Sequence, residues 1–195
     1  MKTTVTSFLL LLFASATLSS CESCGDITIT EPTVEDTKWL VYGQNDTALF
    51  KITDGGTVDT LTYLRTGTYV QNVPGAGYSI NDECIDKRDT QLTNIIEDKE
   101  RKLPYMGTYI LKKPDSLIVK IGVGSKVAWE IKNTDVPQPV QVNGDDYNAY
   151  VYTATPTADN DPKLVYFNKE YGFLRVELKN GKTLELIELK TKTTP

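Results

Sequence analysis

The chain of 195 residues contains no histidine. That absence removes the commonest general base, the Ser-His-Asp and Cys-His nucleophile arrangements, and most zinc sites. Proton chemistry is left to carboxylates, lysine and tyrosine. No unbroken apolar run approaches the roughly 20 residues that cross a bilayer as a helix. Positive charge is also scarce, with 21 Lys and Arg against 26 Asp and Glu, a formal net charge of −5. Nucleic acid rewards basic patches, as does recruitment by anionic headgroups, so this balance argues against both. No internal repeat of fixed period marks a solenoid or propeller, and no motif calls for a cofactor.

The first twenty residues have an organisation of their own. Lys2 supplies a short positive start, Phe8 to Phe13 is continuously apolar, and Ala14 to Ser20 is small or polar. A charged start, a short apolar core and a small-residue zone define a secretory signal. A buried first helix would instead show amphipathic periodicity and a polar face. The segment that ends this stretch, Leu18-Ser19-Ser20-Cys21, resembles the bacterial lipobox. That resemblance implies a diacylglyceryl group on Cys21, cleavage before it by signal peptidase II, and acylation of the new amine. Three acyl chains exceed the two signals that stable anchoring needs. The expected location is therefore the cell envelope, lipid-anchored, and Glu22 after the anchor is compatible with the outer membrane. Cleavage would remove Lys2 as its sole charged residue and make the mature chain one charge more acidic.

Three cysteines are present. With Cys21 carrying lipid, Cys24 and Cys84 are the pair left to bond in an oxidising compartment. Their bridge would close a loop of about 60 residues, worth roughly 4 kcal/mol in the chain-entropy description. Two free thiols are the other reading, because spacing does not show that the two can meet.

The resulting division is residues 1–20 as signal peptide, 21–36 as anchor and tether, 37–190 as one β-rich domain, and 191–195 as a flexible tail. Within 21–36, the segment Asp26 to Thr30 could form an edge strand. From Thr37 onward the chain is a succession of short β-like runs broken by turn residues. Lys38 to Tyr42 opens the series and Ala48 to Thr53 follows. Asp54-Gly55-Gly56 then reads as a tight turn into Val58 to Arg65. Leu92, Ile95, Ile96 and Leu103 fall near helical spacing, with Asp89 as a cap and Pro104 as a stop; a strand pair turning at Lys99 to Lys102 fits nearly as well. Period two is plain thereafter: Leu117, Val119 and Ile121 share a face, as do Val127, Trp129 and Ile131. Leu174, Val176 and Leu178 share another, and Asn180-Gly181 is the strongest hairpin turn in the chain.

Many short strands, antiparallel turns and at most one short helix predict a mainly β fold. An antiparallel barrel or half-barrel is expected first, with a β-sandwich as the alternative. The Trp39 run that opens the series and the closing hairpin around Asn180-Gly181 resemble lipocalin-like and LolA-like envelope proteins. Where lipocalins carry glycine two residues before the first-strand tryptophan, this chain has Thr37.

Eleven tyrosines are present, including Tyr150 and Tyr152 on one strand face. Aromatic strand faces can line an apolar cavity or stack on sugar rings, and tyrosine is equally a favoured packing residue in strands. Trp129, Tyr150 and Tyr152 are the candidate ligand-lining residues. Asn143 to Asp146 and Asp159 to Asp161 lack the spacing and closing Glu of a calcium loop and read as solvated turns, so no metal site is expected. The interleaved carboxylates Asp82, Glu83, Asp86 and Asp89 select no pair for glycoside hydrolysis. Asp46-Thr47-Ala48, Asp59-Thr60-Leu61 and Asp115-Ser116-Leu117 resemble the O-glycosylation pattern of one Gram-negative phylum, which would make Thr47, Thr60 and Ser116 glycan acceptors. These features lead to an expected non-enzymatic lipoprotein that binds an apolar or lipid ligand, or an envelope protein partner. A carboxylate-based glycan hydrolase is the competing expectation.

Overall fold

The computed structural model describes residues 25–125 and 127–191. In chain order the elements are β1 (Thr28–Thr30), α1 (Val34–Thr37), β2 (Thr47–Asp54), β3 (Thr57–Pro74), β4 (Lys87–Asp98), β5 (Met106–Lys113), β6 (Ser116–Val123), β7 (Val127–Ile131), β8 (Gln138–Val142), β9 (Asp145–Thr153), β10 (Pro162–Asn168), β11 (Gly172–Leu178) and β12 (Thr183–Lys190). Among the described residues no helix is long and apolar enough to cross a membrane.

The sheet runs β7-β6-β5-β4-β3-β2-β12-β11-β10-β9-β8. Every pair of neighbours along it is antiparallel, and every pair but β2–β12 is also consecutive in the chain. The fold is thus a meander whose first long strand pairs with its last. Its hydrogen-bonded ladder is open only between β7 and β8, among the described strands. Residues 132–137 alone join those two edges, and so short a link reaches at most about 20 Å. The sheet must therefore curl until its ends are near one another. It is an open antiparallel half-barrel, the first of the expected architectures.

Alternation explains which residues fill it. On the concave face, Leu92, Ile110, Val119 and Ile131 stand opposite one another across β4 to β7, and Val165, Val176, Leu184 and Ile52 do the same across β10, β11, β12 and β2. All of these side chains are buried except Leu92 and Ile52, which are half-buried. Burying an aliphatic side chain contributes about 1.5–3 kcal/mol, which makes the interdigitated concave face the main source of stability. The turns are those the sequence indicates. Asn143 and Gly144 sit at φ 54° and 92°, as a type I′ hairpin requires, and Gly181 at φ 87° lies in the turn between β11 and β12.

Two sequence expectations are corrected. The helical reading of residues 90–103 fails, because Lys87–Asp98 is a strand, followed by a turn. Leu92, Asn94, Ile96 and Asp98 alternate onto the concave face, where a period-two burial outweighs the accidental helical spacing of Leu92, Ile95 and Ile96. Nor is Lys38 to Tyr42 a strand. It follows α1, whose first turn is held by Thr33 and Asp36: the Asp36 amide donates to Thr33 Oγ1 at 3.2 Å, and the Thr33 amide donates to Asp36 Oδ2 at 2.9 Å. Of the stretch expected as tether, β1 pairs in parallel with the start of β4, and Asp36 meets Lys112 of β5 at 3.2 Å.

The segment after α1 crosses the concave side and is pinned there by Tyr42. Its side chain is buried, its carbonyl accepts from Asn94 Nδ2 of β4 at 2.5 Å, and its hydroxyl accepts from the Phe173 amide of β11 at 2.9 Å. Burial pushes the Tyr42 phenol far up, so it remains protonated. Gly172, at φ 77°, lets the ring approach: a Cβ there would stand 2.3 Å from Tyr42 Oη. Gly172→Ala combines a forbidden contact with a strained backbone and is expected to cost about 2–4 kcal/mol. Gly77→Ala, at φ 90° in open space, should cost only about 1–2 kcal/mol. Tyr42→Phe leaves a buried amide without its acceptor, a loss of about 1–3 kcal/mol. Urea unfolding midpoints of the three variants check the order.

Candidate functional site

β9 serves two neighbours in succession. Its residues 145–149 pair with β8, and its residues 150–153 pair with β10. The β8–β9 hairpin leaves the ring at that point and lies on the convex side. There its Asn143 donates to the Leu186 carbonyl at 2.7 Å and accepts from Lys51 Nζ. Lys51, Glu185, Arg175 and Glu177 form a run of ion pairs on the same face, with contacts of 2.5, 3.3 and 2.6 Å. The edge of β9 at Tyr150 to Thr153 is consequently released from β8 and faces β7 across the seam.

Side chains bridge that seam. Tyr152 continues the row of Val165, Val176 and Leu184, and Trp129 continues the row of Thr108 and Ile121. The two aromatic rings stack at 5.8 Å between centroids, 26° apart. Trp129 Nε1 also donates to the Thr153 carbonyl at 3.3 Å. One step along β9, Tyr150 meets Trp39 at 5.9 Å and 47°. Both tryptophans of the protein, ninety positions apart in sequence, thus converge on Tyr150 and Tyr152, two of the three tyrosines of β9.

Beside this aromatic row lies an open groove of about 320 Å³, walled by Thr134, Asp135, Val136, Gln138, Tyr150 and Tyr152. Asp135 is fixed in the β7–β8 connection, accepting from the Lys132 amide at 2.9 Å, and it also accepts from the Tyr152 hydroxyl at 3.0 Å. Burial, then the hydrogen bond and charge of Asp135, push the Tyr152 phenol far up, so it is a fixed donor. Burial and the Asp135 charge raise Tyr150 as well. The site offers aromatic faces, one oriented carboxylate, and neutral donors and acceptors at Gln138 and Thr134. Such a set can hold the apolar part of a ligand on the rings and a polar part at the rim.

At the other end of the row, a second groove of about 520 Å³ adjoins α1 between Glu35, Lys38 and Lys169. Lys169 Nζ lies 5.0 Å above the Trp39 ring and 2.8 Å from Glu35 Oε1, while Lys38 reaches Glu35 Oε2 at 2.6 Å. The hydrogen bond from Lys169, then that from Lys38, lowers Glu35 from 4.5 to about 2.

The structure places Trp129, Tyr150 and Tyr152 near one another, with Trp39 and Asp135 beside them; of the three ligand-lining candidates, Tyr150 and Tyr152 wall the groove and Trp129 stacks behind Tyr152. Trp39 read as a strand opener, and its rarity as one of two tryptophans was the available signal. Asp135 had none, since it acts through a turn. Cys84 is half-buried and disulfide-bonded, whereas Cys21 and Cys24 lie outside the described residues. Thr60 and Ser116 are exposed and Thr47 is half-buried, each on a different strand. The acidic turn at 159–161 is tied down by Asp161, whose Oδ2 accepts from the Thr157 amide and hydroxyl and the Ala158 amide.

No protein-family model, curated protein or solved structure matches the chain.

The depressed Glu35 acidity gives a pH prediction. A lowered folded-state value means that its contribution to stability is present above the ordinary 4.5 and is lost as pH falls through about 2. The Glu35 carboxyl carbon should titrate near 2 by NMR in the wild type, and Lys169→Ala should move that midpoint toward the ordinary value.

Proposed function

We propose that this is a lipid-anchored envelope protein of bacteria whose β-domain acts by binding, with the aromatic groove of β9 as the binding site. The anchor rests on the lipobox-like Leu18-Ser19-Ser20-Cys21 behind an apolar core. A lipid on Cys21 leaves Cys24 as the cysteine available to Cys84, which is bonded. The loop carrying Cys84 would then sit within a few residues of the bilayer. The outer membrane is the expected location.

One observation carries the binding reading: Trp39 and Trp129 converge on Tyr150 and Tyr152 at an open groove whose rim holds an oriented carboxylate. The concave interior is packed with side chains, so a ligand would lie along the seam, not inside the barrel. An amphipathic molecule fits this arrangement, its chain or ring on the tyrosines and its polar end toward Asp135 and Gln138. Because both tryptophans flank the tyrosines, their emission reports occupancy directly. Titration with a lysophospholipid below its micelle concentration should shift tryptophan emission to shorter wavelength in the wild type. Tyr150→Ala should weaken the apparent affinity at least tenfold. An emission spectrum that does not move would remove the groove as a lipid site.

The anchor has its own test. Intact mass and membrane fractionation should show lipid on the wild type and none on Cys21→Ser, which should leave the membrane fraction.

A second reading draws on a different cleft. Asp54, Asp59, Asp98 and Glu100 border a hollow of about 450 Å³ with Lys102 and Lys182. A carboxylate pair there could serve glycan hydrolysis. Asp98 is already engaged, accepting from the Glu100 and Lys102 amides at 3.1 Å each, and Asp54 pairs with Lys182 at 3.0 Å. Release of reducing ends from envelope glycans that disappears in Asp59→Asn would favour this reading.

A further inference from the structure

We infer that one end of the half-barrel is a membrane-docking face, seated on the leaflet that holds the lipid; this rests on the anchor reading of Cys21. β3 ends at Pro74, β4 begins at Lys87, β5 ends at Lys113, β6 begins at Ser116 and β7 ends at Ile131. These strands are antiparallel neighbours, so the connections 75–86, 114–115 and 132–137 emerge at the same end. β1 joins them there by pairing with the first three residues of β4, and the Thr28 amide donates to the Asp86 carbonyl at 2.7 Å. A hollow of about 340 Å³ between Thr28, Gly75, Lys87 and Pro114 marks where these segments meet. α1 follows, its Asp36 paired with Lys112 near the end of β5.

The length of the tether says what covers this end. Gly25 follows Cys21 by four positions, a span of at most about 14 Å. Cys84, in the 75–86 connection, is disulfide-bonded, and with lipid on Cys21 its partner is Cys24. The bridge then keeps Cys84 within about 18 Å of the acylated residue. Cys24 clamps the anchor both to the segment entering β1 and to the 75–86 connection, so the free leash is only the step from Cys21 to Cys24. The end from which it leaves stays beside the lipid. A protein partner is not brought there by the chain itself, whereas the leaflet is.

The side chains at this end suit that neighbour. Ile27 before β1, Val34 at the start of α1, Ile80 in the 75–86 connection and Val136 in the 132–137 connection are 55%, 82%, 78% and 76% exposed. Ile29 of β1 is exposed as well. The opposite end, with the turns at 55–56 and 179–182, carries Val58 alone among the exposed large apolar residues described. Exposed apolar side chains gathered in one place mark an interaction face. Side chains of this kind bury at the boundary of headgroups and acyl chains, where loop backbone stays hydrated. Asp26, Asp82 and Glu83 are mixed with Lys87 and Lys113, so apolar contact drives the docking and an anionic leaflet is not required. The connection that carries Val136 also gives Thr134 and Asp135 to the aromatic groove. An amphiphile would therefore reach Tyr150 and Tyr152 from the leaflet itself.

Nitroxide labels at Ile80→Cys and, as the opposite-end control, Val58→Cys test this in the full-length lipidated protein on phosphatidylcholine vesicles. Collisions with an aqueous nickel chelate should be about fivefold rarer at position 80 than at position 58, the shielding an interfacial position gives. Adding Ile27→Asp and Val34→Asp, both well exposed and so free of core packing, should abolish most of that difference while the protein stays in the vesicle fraction. Equal collision rates at the two positions, on protein whose intact mass includes lipid, overturn the docking and leave the anchor standing. A protein without lipid overturns the anchor reading and this proposal with it. Shielding at position 80 in the unanchored Cys21→Ser variant that grows with protein concentration assigns the face to a second copy and also overturns the proposal.

Discussion

The structure turns on the contact of Tyr42 with both sides of the curl. An open antiparallel sheet has a concave face that water would otherwise reach from the seam, and side chains from the strands alone must meet in its middle. The segment between α1 and β2 supplies a buried ring there. Its hydroxyl satisfies an amide of β11 and its carbonyl satisfies an amide side chain of β4. These strands are four places apart in the sheet, so the contact fixes the curvature and not merely a neighbour. The glycine at 172 is needed because the ring occupies the space a Cβ would take.

Closure by side chains instead of backbone has a consequence for function. Where a barrel is completed by a ladder, the wall is continuous and the interior is the natural ligand site. Here the ladder is complete at β2–β12 and absent between β7 and β8. The gap is spanned by Trp129 against Tyr152, with Asp135 holding the tyrosine hydroxyl. Tyr152, which holds the seam against Trp129, also lines an external groove together with Tyr150. The packing and ligand readings of the aromatic residues are therefore joined, since a ligand seated there would rest on the groups that close the fold.

The local structure was legible to a large extent. Period-two runs such as Leu174, Val176 and Leu178 are buried in alternation, and the turns at Asn143-Gly144 and Asn180-Gly181 form, with positive φ at Asn143, Gly144 and Gly181. The errors have a common cause. Residues 90–103 and 38–42 contain apolar residues at spacings that satisfy more than one local template. In the first, burial of Ile96, Asn94 and Asp98 on one face settles a strand. In the second, the chain leaves α1 and crosses the concavity before any strand partner is available. Trp39 could be noticed for its rarity, but its approach to Tyr150 depends on that crossing.

By itself the sequence determined that the protein is β-rich, acidic and without histidine chemistry, where its hairpins turn, and that its N-terminus resembles a lipoprotein signal. Such features depend on residues adjacent in the chain or two positions apart, whose physics acts over a few ångströms. Only the tertiary structure decided that β2 meets β12, that β7 and β8 do not pair, and that Trp39, Trp129, Tyr150, Tyr152 and Asp135 come together. Those contacts join residues up to about a hundred and forty positions apart. They are selected by how a curled sheet can bury its concave face, a global packing condition that no local spacing encodes.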